Sequence, residues 1–311
     1  MSLLALVLAV VLALAALAAL SARRSRTDPP PPDAFVEARG ARIHAVSRGA
    51  GRPVVFLHGN AATHLDFTLS LLDRAALEYR AVALDRPGHG HSTRPRGSAS
   101  VAAQMEILRE ALRRLGVEQP ILVGHSWSGA LVLAWALAHP EELSGVVVLA
   151  GAVYAKGSGL FPDPRFITLL PIVGRTAWSC GALFARPFVR KAIRAAFSPA
   201  PVPPHWQPST EPFQIWNAGH VRAAAEDFLA SARDVPALSP HYPEIRIPVV
   251  IVTGDRDAAV PPAQHAYRLA KDLPSAVLIT VPGAGHMLPF THPDEVMDAI
   301  RRVAEASTSH H

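Results

Sequence analysis

Short apolar runs alternate along most of the chain with stretches whose apolar residues recur every three or four positions. The runs are Val54 to Leu57, Ala81 to Leu84, Ile121 to Val123, Val146 to Leu149, Val249 to Val252 and Ala276 to Val281. Four of these six are continuous rather than alternating, as a strand covered on both faces requires. Helical spacing falls over Ala62 to Leu77, Ala99 to Leu115, Ser128 to Ala138, Pro262 to Asp272 and Pro293 to Ala304. The order strand, helix, strand, helix predicts an α/β domain, doubly wound about a mainly parallel central sheet flanked by helices. Ahead of it, two alternating stretches around Arg39-Gly40, between Phe35 and Gly49, predict an antiparallel hairpin.

The rhythm breaks between Tyr154 and Pro243, where Pro, Trp and Phe cluster and no strand pattern is found. Two helical patterns remain there, around Phe188 to Phe197 and Glu211 to Ala232. The segment is too long for a plain loop, so residues 155–242 are expected to form a helical lid over the carboxyl ends of the strands. A second domain is the competing reading. The core is then residues 35–154 and 243–306, with the lid inserted between late strands.

The amino end has a different chemistry. Leu3 to Leu20 is eighteen residues of Leu, Ala and Val, followed by Arg23, Arg24 and Arg26. That length just spans a bilayer, so residues 1–22 are expected to be a hydrophobic helix that anchors the chain. The flanking arginines put the globular part on the cytoplasmic side. A cleaved signal peptide is the alternative, with Ala16-Leu17-Ala18 as the cleavage site and a secreted or periplasmic product, but the segment ahead of the apolar run carries no Lys or Arg. A buried core helix is a third reading. Residues 23–34 form an Arg/Pro-rich linker whose four prolines, Pro29 to Pro32, favour a stiff extended spacer. Ser307 to His311 is polar and aperiodic, and is expected to be a disordered tail.

Composition removes several function classes. The single cysteine, Cys180, forms neither an internal disulfide nor a cysteine metal cluster. The net charge of +5 comes from scattered, mostly arginine residues with no basic run of five, which argues against a nucleic-acid partner.

Candidate chemistry collects at the strand ends. Ile121-Leu122-Val123-Gly124-His125-Ser126-Trp127-Ser128-Gly129 runs from a strand into the helix Ala130 to Ala138. A serine at the tip of such a sharp turn needs small residues two before and two after it, because the backbone there is strained and crowded. Gly124 and Ser128 meet that demand, although Ser128 departs from the usual glycine. A serine hydroxyl is a weak nucleophile and requires a base oriented by a carboxylate. Two acids, Asp255 and Asp257, follow the run Val249 to Gly254. Asp257 is the better placed, and Asp255 is expected to brace the loop or pair with Arg256. The loop after Leu149 offers no acid. His286, in Val281-Pro282-Gly283-Ala284-Gly285-His286, lies beyond the last strand and completes the order Ser126, Asp257, His286. His265, inside a helix, and His292, at the start of one, compete poorly. An oxyanion needs backbone donors. The N-H groups of Asn60, in Phe56-Leu57-His58-Gly59-Asn60, and of Trp127 are in position to supply them. The Asn60 side chain either caps the next helix or meets substrate. His89 and His91 lack a third metal ligand and read as turn residues. Trp178, Trp206 and Trp216 either line an acyl pocket or pack the lid itself.

Taken in order, His58-Gly59-Asn60, Asp85-Arg86-Pro87-Gly88-His89-Gly90-His91-Ser92, the Gly124 to Gly129 elbow, Gly254 to Asp257 and Gly285-His286 resemble the α/β-hydrolase family. The closest likeness is to its lid-bearing branch of esterases, lactonases, epoxide hydrolases and carbon-carbon bond hydrolases. The resemblance covers Phe35 to Ala304. It implies the α/β-hydrolase fold and a serine hydrolase, a carboxylesterase, that works without cofactor or metal, and the apolar, tryptophan-containing lid and the membrane anchor point to esters of small to medium hydrophobic substrates. The dehalogenases and epoxide hydrolases of that branch use Asp where this chain has Ser126, which favours carboxylic-ester chemistry. An acyltransferase or carbon-carbon hydrolase with the same triad stays open, as does a ligand-binding module with an idle triad.

Overall fold

The computed structural model describes residues 34–155, 189–211 and 218–308. Eight strands form one sheet: β1 (Phe35–Ala38), β2 (Ala41–Arg48), β3 (Pro53–Leu57), β4 (Arg80–Leu84), β5 (Ile121–His125), β6 (Gly145–Leu149), β7 (Val249–Gly254) and β8 (Val277–Val281). Their spatial order is β1-β2-β4-β3-β5-β6-β7-β8. β1 pairs antiparallel with β2 and β2 with β4, and every later pairing is parallel. The expected hairpin and parallel sheet are both present.

The continuous apolar runs are explained by two cores, one on each face. Val55, Leu57, Leu122, Val146 and Ile251 point to one face. Their neighbours Val54, Phe56, Val123, Val147 and Val252 point to the other. Successive side chains of a strand alternate, so both sets must be apolar when both faces are covered. Each such side chain contributes about 1.5–3 kcal/mol on burial. The first face is covered by α1 (Val101–Arg114) and α2 (Ser128–Ala138). The helix of α1 starts where Ser100 Oγ accepts the Ala103 amide (3.1 Å) and ends with Arg113 and Arg114 against the helix dipole. β8 is an edge strand, and Val277 and Leu278 stay exposed there, unlike the residues of the central runs.

Three insertion segments are described: helical residues 189–197, α3 (Trp206–Glu211) and α4 (Ala218–Leu238). They meet the loops at the carboxyl ends of the strands, since Asn60 Nδ2 donates to Ala224 O (3.0 Å) and Phe197 and Trp206 pack on Met287. α5 (Ala266–Asp272) and α6 (Pro293–Thr308) complete the core.

Several boundaries differ from expectation. Ala62 to Leu77 is not one helix but two short turns of helix, Leu65–Thr68 and Leu72–Ala75. Between them Ser70 Oγ donates to the Asp66 carbonyl (2.6 Å) and the Ser70 amide goes to Phe67 O (3.2 Å). The helix expected from Pro262 starts at Ala266, because His265 leaves helical geometry (φ −120°, ψ −77°). The second insertion helix runs to Leu238, beyond the expected Ala232, and residues 212–217 of the expected span lie outside the described residues. Ser307 and Thr308, read as part of the 307–311 tail, belong to α6, where Ser307 Oγ donates to Ala304 O (2.9 Å) and accepts from Arg52 (3.0 Å). The 1–22 hydrophobic helix, the 23–33 part of the linker, Trp178 and Trp216 lie outside the described residues. Among the described residues, no helix is long and apolar enough to cross a membrane.

Candidate active site

The chain leaves β3 for β4 on one side and returns past β3 to β5 on the other, so strand order reverses between β3 and β5. Loops diverge above such a switch point and leave a crevice at the carboxyl ends. The loops after β3 and β5 meet there: a Cβ on Gly59 would stand 3.0 Å from Ser126 Cβ. Ser126 sits on the predicted elbow at φ 54°, left-handed backbone that a non-glycine residue adopts at a cost of about 1–3 kcal/mol. Gly124 makes the turn possible, since a Cβ there would lie 2.3 Å from Ser128 O. Ser128, the departure from glycine, is fully buried, and its hydroxyl donates to His58 O (2.6 Å). That bond ties the elbow to the end of β3, a role the sequence pattern did not reveal.

The structure joins the predicted acid and base. His286 Nδ1-H donates to Asp257 Oδ2 (2.7 Å), while Asp257 Oδ1 accepts the amides of Ala259 (2.9 Å) and Val260 (2.8 Å). Both residues are buried. The carboxylate fixes the tautomer of His286 and leaves Nε2 free to take a proton. Asp255 is exposed and accepts the Gly283 amide (2.7 Å), so it braces the loop as one of its expected roles. His265 caps α5 and accepts the Tyr154 amide (3.2 Å). His286 stacks near His125, with ring centres 4.8 Å apart, and His125 Nε2-H donates to His286 O (3.1 Å). Burial, then His286, push His125 down to about 3, so it stays neutral and braces the base. Ser126 Oγ makes no hydrogen bond among the described residues, and catalytic contacts in free enzymes are commonly loose.

The two predicted donor amides are oriented from behind. In a trans peptide, C=O and N-H point in opposite directions. The Ser126 carbonyl accepts Gly129 N (3.0 Å) and Ala152 N (2.8 Å), which turns the Trp127 N-H away from them. The Gly59 carbonyl accepts His58 Nδ1-H (2.8 Å) and Arg86 Nη2 (3.0 Å), which sets the Asn60 N-H likewise. His58 Nε2 accepts the Arg86 amide (3.0 Å), so its proton is on Nδ1. Burial and the Arg86 charge hold His58 well below the usual imidazole range. Among the described residues neither donor amide is engaged in a backbone hydrogen bond. The Asn60 side chain does not cap the next helix: Nδ2 is bound to Ala224 O, and Oδ1 accepts the Ala61 amide (3.1 Å).

Other polar groups surround this centre. His44, His64 and Asp85 have ligand atoms near enough for a metal, but the carboxylate already accepts His44 Nδ1 (2.9 Å), His64 Nδ1 (3.0 Å) and the amides of His64 (2.8 Å) and His91 (3.0 Å). Burial opposes ionisation of Asp85, yet the two imidazoles overcome it and keep its carboxyl well below the usual range. These bonds tie the two imidazoles and both amides to one buried carboxylate. His89 and His91 lie in the turn as read, with His89 Nδ1 bonded to Pro87 O (3.2 Å). Asp66 is buried and accepts Trp206 Nε1 (3.3 Å), and burial pushes it up to about 7. Trp206 also packs edge-on against Phe197 and Phe290, so it ties the insertion to the core.

A left-handed serine after β5 facing the β3 loop, two amides turned by their carbonyl partners and a His-Asp pair at later strand ends lie on the carboxyl side of one α/β sheet. The family model for the alpha/beta hydrolase fold matches residues 52–293, and the chain belongs to that family. Haloalkane dehalogenase 2 of Mycobacterium tuberculosis is 28% identical over 286 residues, 86% of this chain and 92% of that one. An esterase from Exiguobacterium antarcticum superposes with a TM-score of 0.70 at 20% identity, covering 88% of this chain and 99% of that one. The enol-lactonase from Burkholderia xenovorans gives 0.67 at 18% identity, over 88% of this chain and 100% of that one.

Proposed function

We propose that the protein is a serine hydrolase that cleaves carboxylic esters of small to medium hydrophobic acids through an acyl-enzyme. The observation that carries this reading is Ser126 on a left-handed elbow facing the β3 loop, with His286 fixed by Asp257. Ser126 Oγ attacks the ester carbonyl as His286 Nε2 takes its proton, and the amides of Asn60 and Trp127 stabilise the oxyanion. Collapse expels the alcohol, which receives that proton. Water, deprotonated by His286, then releases the acid and restores Ser126.

The dehalogenase relative does not carry its reaction across, because the branch implies Asp at the position of Ser126. The apolar, tryptophan-containing insertion and the hydrophobic amino end support a hydrophobic substrate. The insertion acts as the lid over it. Leu3 to Leu20 supports a membrane tether, which alkaline extraction of membranes tests: retention with lipid supports it, release contradicts it. The catalytic reading is tested with p-nitrophenyl esters of increasing chain length against Ser126→Ala. Turnover that vanishes in the variant supports the assignment, and turnover that persists rejects it.

A further inference from the structure

Arg86 follows β4 and is fully buried. Its guanidinium donates through Nε to His58 O (3.0 Å) and through Nη2 to Gly59 O (3.0 Å). Nη1 donates to Gln104 Oε1 (2.8 Å) and Asp227 Oδ2 (2.6 Å). Its carbon centre stands 4.1 Å from the ring centroid of Trp127. Asp227, on α4 of the insertion, is equally buried and also accepts Gln104 Nε2 (2.8 Å) and Arg94. The Asp227 backbone carbonyl accepts Trp127 Nε1 (3.2 Å).

A buried ion pair is a weak source of stability, because apolar side chains of similar volume often do as well. A planar fork does what they cannot: it holds two carbonyls and a carboxylate at fixed angles. We infer that Arg86 is a positioning residue for the oxyanion site, and that Asp227 makes its placement conditional on the insertion helix being seated. The inference rests on the serine-hydrolase reading above. Arg86 pins the Gly59 carbonyl, which aims the Asn60 N-H, and it stacks on Trp127, which supplies the other donor. Asp227 holds Arg86 and the Trp127 ring from the side of the insertion. When α4 lifts, the guanidinium loses its carboxylate, turns toward water and releases the Gly59 carbonyl, so that the Gly59-Asn60 peptide is free to rotate. A seated helix and a formed oxyanion site are thus one event.

The test is steady-state ester hydrolysis by the full-length protein and by Arg86→Lys, Asp227→Asn and Ser126→Ala, with thermal unfolding recorded for each. Lysine keeps the charge and loses the fork; asparagine keeps the shape and loses the charge. Arg86→Lys is expected to lower kcat by about 10²-fold, the scale of one lost oxyanion donor. Asp227→Asn is expected to lower it by about tenfold, with KM within about threefold in both, as for an interaction made in the transition state. Wild-type kcat per folded molecule in both variants, with only the unfolding temperature reduced, overturns the inference. Should Arg86→Lys not fold, the isosteric Asp227→Asn decides by the same criterion. Persistent turnover in Ser126→Ala overturns the serine reading instead, so the two failures are distinct.

Discussion

Asp66→Asn is the perturbation whose size the structure sets most directly. The Asp66 carboxyl is buried beside Trp206 Nε1, and burial raises it from 3.8 to about 7. Between those values the folded protein keeps a proton that the unfolded chain has released, so stability falls as pH rises. Each pH unit in that window is worth about 1.4 kcal/mol, so the full loss is on the order of 4 kcal/mol. Most of the fall lies above pH 5, on the order of 2–3 kcal/mol between pH 5 and pH 8. Asparagine carries no charge and keeps the oxygen that accepts the Trp206 N-H. Urea unfolding of both proteins near pH 5 and pH 8 should therefore show the variant gaining on the wild type by on the order of 2–3 kcal/mol. A difference that stays constant across that range would refute the argument, because it would mean that the carboxyl titrates alike in both states.

Asp257→Asn preserves an acceptor for the Ala259 and Val260 amides but favours the wrong His286 tautomer, so kcat should fall by about 10⁴ while the unfolding temperature hardly moves, read by ester kinetics and calorimetry. Gly124→Ala drives a methyl to 2.3 Å from Ser128 O and should cost about 3 kcal/mol in urea unfolding, with loss of activity as the elbow distorts. Ser128→Ala removes the bond to His58 O and should cost about 1 kcal/mol in the same assay, with ester turnover retained.

The sheet was legible because strands buried on both faces must be apolar at every position, as Val146 to Leu149 is. The candidate triad was legible because its members stand at strand ends, where small residues and glycines mark tight turns. The break between the two short helices after β3 was hidden, since the apolar spacing runs through it. Arg86 was hidden for another reason. Its partner Asp227 lies 141 residues away, and an arginine in a Gly/Pro loop reads as a surface residue until the insertion is seen to bury it. His125 and Ser128 read as neighbours of the nucleophile, and their work, bracing His286 and the β3 end, needs three dimensions to appear.

The central claim is that Ser126 becomes covalently acylated. Intact-mass spectrometry after a fluorophosphonate probe, followed by peptide mapping, tests it most directly. The account predicts a single adduct on the peptide that carries Ser126, and none on Ser126→Ala. A folded protein with no adduct, or with one on another residue, would contradict it.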